Sequence, residues 1–250
     1  MPHPIVLLHG WACSTAYWKP LADRLSAGGR TVVAADLPGY GSDPRADFDW
    51  TVENAATALA EQMASQFGGV PAHWVGHSLG GSIAATIAAR FPRTTASLTL
   101  VGMVPVAPSA ATVDKLTRLF GGDSSDPAAD LAAGEELLGA WFRGGPEPQG
   151  DERETFLAAF SRHPAVVRQS LRAGVTGAAP EVAQSVSAPT LVLTGTRDST
   201  RPPAAVADFL AMHPLWRHTA VQDAGHMVHW EQPAACAEAI LRHVESAETG

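Results

Sequence analysis

A serine lies at the centre of the run GHSLG, residues 76–80, between an apolar stretch and a stretch of small residues. The apolar stretch, residues 72–75, is typical of a buried strand, and residues 81–85 are typical of a helix. Glycines two positions either side of Ser78 allow a sharp strand-to-helix turn that pushes the hydroxyl out of the sheet. The pattern therefore predicts that Ser78 is a catalytic nucleophile rather than a serine that caps a helix.

A serine hydroxyl needs a neighbouring base before it attacks at neutral pH, and a histidine imidazole suits that task. Of the 10 histidines in the chain, His226 is the strongest candidate. It follows the last predicted strand, at the sheet edge where functional residues gather in parallel sheets. His229 is the main competitor. Two histidines at this spacing also suit a metal site, but no third ligand clusters nearby in the sequence, so no metal is expected.

The base needs a carboxylate that fixes its tautomer, and Asp198 is the candidate because it follows the predicted strand 189–195. The alternative for Asp198 is a cap on the next helix. A tetrahedral oxyanion needs two N–H donors. We expect the backbone amide of Leu79, at the start of a helix, to be one donor. The amide of Trp11, in the loop after the first strand, is the other, and the Trp11 side chain is a candidate for the pocket wall.

Strand-like and helix-like runs alternate at both ends of the chain, which predicts a parallel sheet covered by helices on both faces. Residues 104–185 contain helix-like runs and no strand-like run. We therefore expect an α/β fold of about six strands, with residues 1–103 and 186–250 as the core and residues 104–185 as an inserted helical lid. The expected strands are 4–8, 31–35, 72–75, 98–103, 189–195 and 217–221, and the expected helices include 18–25, 51–67, 135–142, 152–162, 204–212 and 233–244.

Charge and composition exclude several classes of partner. The chain has 250 residues and a formal net charge of −8, so nucleic acid and anionic membranes would repel it. No run reaches the roughly 18 apolar residues that span a bilayer, and the N-terminus lacks a signal-peptide pattern. The two cysteines, Cys13 and Cys236, do not indicate a disulfide scaffold. We expect a cytoplasmic enzyme that acts on small neutral substrates.

Several of these motifs are shared with a known superfamily. Four stretches together resemble the α/β-hydrolase superfamily, namely HGW at residues 9–11, DLPGYGS at 36–42, GHSLGG at 76–81 and GH at 225–226. Within it, the first two stretches and Trp18 are most similar to the family of pimeloyl-acyl-carrier-protein methyl ester carboxylesterases of biotin synthesis. The resemblance implies a carboxylic ester hydrolase that forms an acyl-enzyme and needs no cofactor.

The resemblance also implies a role for each candidate residue. Ser78 is the nucleophile, Asp198 the acid and His226 the base, and the amides of Trp11 and Leu79 form the oxyanion hole. A further set of apolar side chains could line the acyl site of the substrate. These are Trp11, Phe120, Trp141, Phe142 and Met227.

The similarity to this family raises the question of a carrier-protein partner. An acyl carrier protein is acidic and would need a basic docking surface. The lid, residues 104–185, carries seven Lys/Arg against eleven Asp/Glu, with Arg153, Arg162, Arg168 and Arg172 towards its end. These arginines suit either a docking surface or an ordinary solvated helix face. The substrate is therefore either a small-molecule ester or an ester carried by acyl carrier protein.

Two alternatives to an esterase stay open. The lyase of menaquinone synthesis shares the fold and a similar run, WVGHSLGG at residues 74–81, and its lid arginines would bind substrate carboxylates. The other alternative is a non-catalytic ligand-binding protein built on the same fold. Dehalogenases and epoxide hydrolases carry an aspartate at the elbow, so Ser78 argues against both.

Overall fold

One parallel sheet organises the molecule. The computed structural model describes residues 2–45, 47–106, 109–121, 126–142, 147–162 and 164–249. The strands in these residues are β1 (Ile5–Leu8), β2 (Val32–Ala35), β3 (Ala72–His77), β4 (Thr95–Val101), β5 (Thr190–Gly195) and β6 (Arg217–Val221). They form a single six-stranded sheet in the order β2-β1-β3-β4-β5-β6, with every pair parallel. The predicted α/β fold and strand number are confirmed.

The strand order reverses direction between β1 and β3, which are neighbours in the sheet. Leu8 pairs with Gly76, and Gly76 pairs with Leu100 on the other side. The carboxyl ends of these central strands therefore lie at the same edge. In open parallel sheets, the crevice at such a reversal is where ligands bind.

Side chains of β1 show why the sheet is covered on both faces. Val6 and Leu8 belong to one buried apolar cluster, and Ile5 and Leu7 belong to the other. Successive side chains of a strand point to opposite faces, so a run of four apolar residues contributes to two cores at once. A continuous apolar run in the sequence is thus the signature of a central parallel strand.

The helices of the described residues are α1 (Lys19–Ser26), α2 (Val52–Phe67), α3 (Leu79–Arg90), α4 (Ala110–Phe120), α5 (Pro127–Trp141), α6 (Gly150–Arg162), α7 (Pro164–Gln169), α8 (Leu171–Thr176), α9 (Pro180–Gln184), α10 (Pro203–Ala211), α11 (Val228–Glu231) and α12 (Pro233–Thr249). Helices α1 and α12 cover one face of the sheet, and α2 and α3 cover the other. Between β4 and β5 the described residues contain only helices, α4 to α9. None of the described helices is long and apolar enough to cross a bilayer.

Several boundaries differ from the sequence expectation. Strand β4 begins at Thr95, which pairs with Ala72, and ends at Val101 rather than at residue 103. Helix α5 begins at Pro127, well before the expected residue 135, because the Asp126 side chain accepts a hydrogen bond from Ala128 N at 3.0 Å. Proline in the first turn of a helix after an aspartate cap was the signal for this start.

Candidate active site

The serine elbow forms as the sequence predicts. Ser78 follows β3 and precedes α3, with φ +50° and ψ −115°, in the positive-φ region that non-glycine residues rarely adopt. Such backbone strain costs about 1–3 kcal/mol and persists where the surroundings enforce it. A Cβ on Gly76 would lie 2.2 Å from the carbonyl oxygen of Gly80, so only glycine allows the strand and helix to approach this closely.

The predicted acid and base lie in contact. Nδ1 of His226 lies 2.9 Å from Oδ2 of Asp198, and both side chains are buried. Asp198 follows β5, and His226 lies in the loop after β6. A Cβ on Gly195 would meet the carbonyl oxygens of Ala224 and Gly225 at 2.2 Å, so the two loops touch at this glycine. Since Nδ1–H donates to the carboxylate, Nε2 of His226 is the nitrogen left to accept a proton.

Thr200 orients this pair and was missed by the sequence analysis. Its backbone N and its Oγ1 each donate to Oδ1 of Asp198 at 2.7 Å, and Oγ1 also lies 2.8 Å from Nδ1 of His226. Burial alone would raise the pKa of Asp198. The attraction of the His226 ring and the hydrogen bonds from His226 and Thr200 outweigh burial and hold that pKa below its usual value.

Ser78 and His226 line the same cavity, which has a volume of about 360 Å³. Within the described residues, no hydrogen bond joins Ser78 Oγ to the His226 ring. Catalytic hydrogen bonds are often long in ligand-free enzymes and tighten when substrate binds. The geometry therefore brings together the acid and base directly, and the nucleophile and base across a shared cavity.

The remaining histidines of this region have structural roles. His9 accepts from Leu37 N at 3.1 Å through Nε2 and donates to Gly10 O at 2.9 Å through Nδ1, and its burial lowers its pKa to about 4. These two hydrogen bonds hold the loop after β1 against the residues that follow β2. His229 is fully buried against Trp18, neither of its ring nitrogens has a hydrogen-bond partner among the described residues, and burial lowers its pKa to about 3.

His77 supports the loop that carries His226 through a hydrogen bond to the backbone of that loop. Its Nε2 donates to the carbonyl oxygen of His226 at 3.1 Å, and its ring lies 4.8 Å from the His226 ring. Burial, followed by the charges of His229 and His226, lowers the pKa of His77 well below its usual value. A neutral His77 is therefore a positioning residue for the His226 backbone. No local pattern in the sequence indicates this contact, because the two residues are far apart along the chain.

The two candidate oxyanion donors come from two different segments of the chain. Leu79 is the first residue of α3, and Trp11 lies in the loop after β1. In the described residues, neither backbone N–H donates to a backbone acceptor. The Trp11 indole is held in place because Nε1 donates to Val167 O at 2.9 Å.

Of the five predicted substrate contacts, Trp11 and Trp141 line the cavity. The structure places Phe120, Phe142 and Met227 in the buried core instead of on the cavity wall. Phe120 packs edge-on against Trp11 with ring centroids 5.0 Å apart, and Phe142 packs against Phe156 at 5.4 Å. Met227 is fully buried. Phe120 thus supports the cavity wall through Trp11, whereas Phe142 and Met227 belong to the core.

One cluster among the described residues has the spacing of metal ligands. The ligand atoms of His3, His73 and Glu248 all lie within 4.8 Å of one another. Both Glu248 oxygens accept hydrogen bonds from Arg30, at 3.0 and 2.9 Å, so a metal ion would compete with that guanidinium. His73 is near the amino end of β3, whereas Ser78 follows its carboxyl end, so this cluster is not part of the catalytic cavity.

Comparison with known proteins agrees with this geometry. Residues 5–239 match the model of the Alpha/beta hydrolase family. A pimeloyl-acyl-carrier protein methyl ester esterase from Aeromonas hydrophila subsp. hydrophila is 28% identical over 250 residues, which is 96% of this chain and 94% of that relative. The esterase of the same name from Methylococcus capsulatus is 39% identical over 101 residues, and the match spans 40% of this chain and only 37% of that relative.

Solved structures share the fold over nearly the whole chain. A membrane phospholipase A, described as a bacterial virulence factor, has a TM-score of 0.78 at 25% identity and covers 100% of this chain and 80% of that chain. An esterase from Exiguobacterium antarcticum has a TM-score of 0.84 at 18% identity, with coverage of 97% and 92%, and shows the fold alone. The two methyl ester esterases support the predicted class of enzyme, a carboxylic ester hydrolase. With the family model matched from β1 into α12, the chain belongs to the alpha/beta hydrolase family.

Proposed function

We propose that this chain hydrolyses carboxylic esters through an acyl-enzyme on Ser78, with His226 as base and Asp198 as acid. One observation carries the proposal. The strained serine shares a cavity with a histidine whose other nitrogen bonds a buried aspartate. Chance rarely places these three side-chain types together at one sheet edge, and this arrangement recurs in serine hydrolases.

In the first half-reaction, Ser78 Oγ attacks the acyl carbon while Nε2 of His226 takes the hydroxyl proton. Asp198 stabilises the imidazolium that forms, and the carbonyl oxygen becomes an oxyanion. The amides of Trp11 and Leu79 donate to this oxyanion, and each such donor contributes about 3 kcal/mol of transition-state stabilisation. The acyl–oxygen bond to the alcohol then breaks, and His226 gives the proton to the departing alkoxide.

In the second half-reaction, water attacks the acyl-enzyme and passes a proton to His226. The bond from the acyl carbon to Ser78 Oγ breaks, and His226 returns the proton to the serine. The carboxylic acid leaves, and the enzyme regains its starting state. No cofactor takes part in either half.

We further propose that residues 104–185 act as a lid on a core formed by residues 1–103 and 186–250. Contacts at the cavity support this division. Trp141 O accepts a hydrogen bond from His226 N at 3.0 Å, and Leu137 and Trp141 of α5 form part of the cavity wall. Movement of α5 would therefore change both the cavity and the support of the catalytic histidine.

The substrate class follows from the relatives and the lid. Pimeloyl-acyl-carrier protein methyl ester esterases are among the relatives, so a methyl ester of a carrier-bound or small acyl group is the candidate substrate. Arg153 pairs with Glu135 and Glu147, and Arg168 pairs with Asp130. These pairs reduce the basic charge that an acidic carrier protein would need, which favours a small ester. The Arg162 side chain lies outside the described part of the chain.

A labelling experiment tests the proposed chemistry. A fluorophosphonate should modify Ser78 alone, as detected by mass spectrometry of peptides, and labelling should abolish cleavage of p-nitrophenyl butyrate. A folded protein that cleaves no ester and leaves Ser78 unlabelled would contradict the proposal and favour a ligand-binding role. Labelling of Ser78 without ester cleavage would favour the lyase alternative.

A further inference from the structure

The cavity is lined by a partly buried cation that the proposed mechanism does not use. Arg201 lines the cavity beside Ser78 and His226. Its Nη1 donates to Thr200 O at 3.0 Å, while its Nε–H is buried and has no acceptor in the part of the chain that the structure describes. Among the described residues, no carboxylate oxygen lies within 4.0 Å of its guanidinium nitrogens. Leaving a buried charged donor unpaired is costly, and arginine stays charged in proteins.

Asp198 does not compensate this charge by direct contact. Its Oδ1 accepts two hydrogen bonds from Thr200, and its Oδ2 accepts one from His226. Burial lowers the pKa of Arg201, and the attraction of Asp198 opposes that shift. Oδ1 of Asp198 therefore bonds Thr200 and Oδ2 bonds His226, whereas Arg201 lines the cavity without an ion pair among the described residues.

The described lining of the cavity includes two cations, although the chain has a net charge of −8. Its described lining includes Lys115 and Arg201 and no aspartate or glutamate. Lys115 is half-exposed and pairs with Glu136 at 3.1 Å, so Arg201 is the lining cation without an acidic partner within the described residues. Low-dielectric walls of one charge sign focus the electrostatic field and attract ligands of opposite charge.

We propose that Arg201 binds an anionic group of the ester substrate, so that the preferred substrates carry a carboxylate or phosphate as well as the ester. The proposal rests on the proposed ester hydrolysis. Ser109, Thr112 and Ser199 also line the cavity, and the hydroxyls of Ser109 and Thr112 lie 3.0 Å apart, so one of that pair can still donate to an anion. The substrate is then not the neutral small molecule that the net charge of the chain suggests, because the local charge of the cavity differs from the global charge.

Paired substrates test this proposal directly. Monomethyl esters of dicarboxylic acids, from malonate to pimelate, are compared with neutral methyl esters of matched length. A charge-assisted hydrogen bond in a buried site should give the best half-ester a kcat/KM advantage of about 10- to 100-fold in the wild type. Arg201→Gln should reduce this advantage to about 1, and Arg201→Lys should keep part of it.

The matched control is Arg197→Gln. Arg197 lies in the same loop as Arg201, but it is exposed and pairs with Asp223. This variant should leave the preference for half-esters unchanged. An equal preference in wild type and Arg201→Gln would overturn the proposal, and so would equal kcat/KM for the charged and neutral esters in the wild type.

A binding measurement distinguishes a carboxylate ligand from a phosphate ligand. It also distinguishes the proposed role of Arg201 from the proposed ester hydrolysis. Calorimetry with Ser78→Ala should detect glutarate binding if the anion is a carboxylate, and inorganic phosphate binding if it is a phosphate. Adding Arg201→Gln should weaken the observed binding about 10-fold or more. Failure to bind either anion would overturn the role of Arg201 even if neutral esters are cleaved. Anion binding without cleavage of any ester by the wild type would instead contradict the proposed hydrolysis.

Discussion

Two sets of a serine, a histidine and a carboxylate lie at opposite edges of the sheet. At the carboxyl edge, His226 bonds Asp198 at 2.9 Å and shares a cavity with Ser78. At the amino edge, Nδ1 of His73 lies 2.8 Å from Ser97 Oγ, and its Nε2 lies 3.2 Å from Oε1 of Glu248. Judged by hydrogen bonds alone, the second set is the more complete triad. The first set nevertheless has the features that chemistry needs.

The two sets differ in where the serine lies and in which charged group binds the carboxylate. Ser97 lies inside β4 and is buried, whereas Ser78 stands on a strained turn at a cavity. The hydrogen bond from Arg30 is the main cause that lowers the pKa of Glu248 to about 2. The Glu248 carboxylate therefore interacts more strongly with the Arg30 guanidinium than with His73. The proposed catalytic set thus differs in having its serine at a cavity, candidate amides without a backbone acceptor among the described residues, and a carboxylate that pairs with no arginine there.

The largest expected effect is the difference in kcat between the alanine variants of the two serines. Ser78→Ala should reduce kcat for p-nitrophenyl butyrate by about 10⁴- to 10⁶-fold, since the acyl-enzyme can no longer form. Ser97→Ala should keep kcat within about 3-fold and lower the free energy of unfolding by about 1 kcal/mol, the value of one hydrogen bond. Steady-state kinetics and urea unfolding of both variants measure the contrast. Comparable losses of kcat would show that the catalytic serine was wrongly assigned.

Replacement of His226 should reduce kcat by nearly as much as replacement of Ser78. His226→Ala should reduce kcat by about 10⁴-fold or more, because the base is removed. His229→Ala and His73→Ala should be mild in kcat, since neither side chain reaches the cavity wall. The measurement is kcat at pH 8 for proteins with matched circular dichroism. A larger loss in His229→Ala than in His226→Ala would reverse the assignment of the base.

The carboxylates should follow with a smaller effect. Asp198→Asn should reduce kcat by about 10³- to 10⁴-fold, because the wrong imidazole tautomer is then favoured. Glu248→Gln should leave kcat within about 2-fold. Comparing kcat of the two variants on one ester isolates this contrast. An unaffected kcat in Asp198→Asn would show that the bond to His226 orients the ring without contributing to catalysis.

Much of the site could be predicted from the sequence because short-range signals define it. The turn around Ser78 requires glycine at fixed offsets, and His226 and Asp198 each follow an apolar strand. Thr200 and Arg201 gave no such signal, although they are neighbours of Asp198, because a side chain's direction depends on how its loop closes. The same limit applied to the pocket wall, where the sequence does not tell a lining aromatic from a core one.

The serine–histidine–carboxylate set at the amino edge also escaped prediction. Ser97 and His73 lie inside strands, and Glu248 lies near the end of α12, so only the packing of α12 on the sheet brings them together. His73 lies within the expected strand 72–75, and the structure places it in β3. Contacts of this kind depend on tertiary packing rather than on any local pattern.

The smallest expected effect is the contribution of Glu248 to stability. Its pKa of about 2 lies below its ordinary value of 4.5, so its stabilisation is complete above pH 4.5 and is lost as the pH falls towards 2. Because the pair with Arg30 is partly exposed, we expect Glu248→Gln to cost about 1 kcal/mol at pH 7, or about 2–4 °C in Tm. Glu238→Gln, in an exposed pair with Arg242, is the control and should change Tm by less than about 1 °C. The deficit of Glu248→Gln should shrink when Tm is measured at pH 3.5. A deficit that is equal at both pH values would show that Glu248 stabilises the fold by packing rather than by its charge.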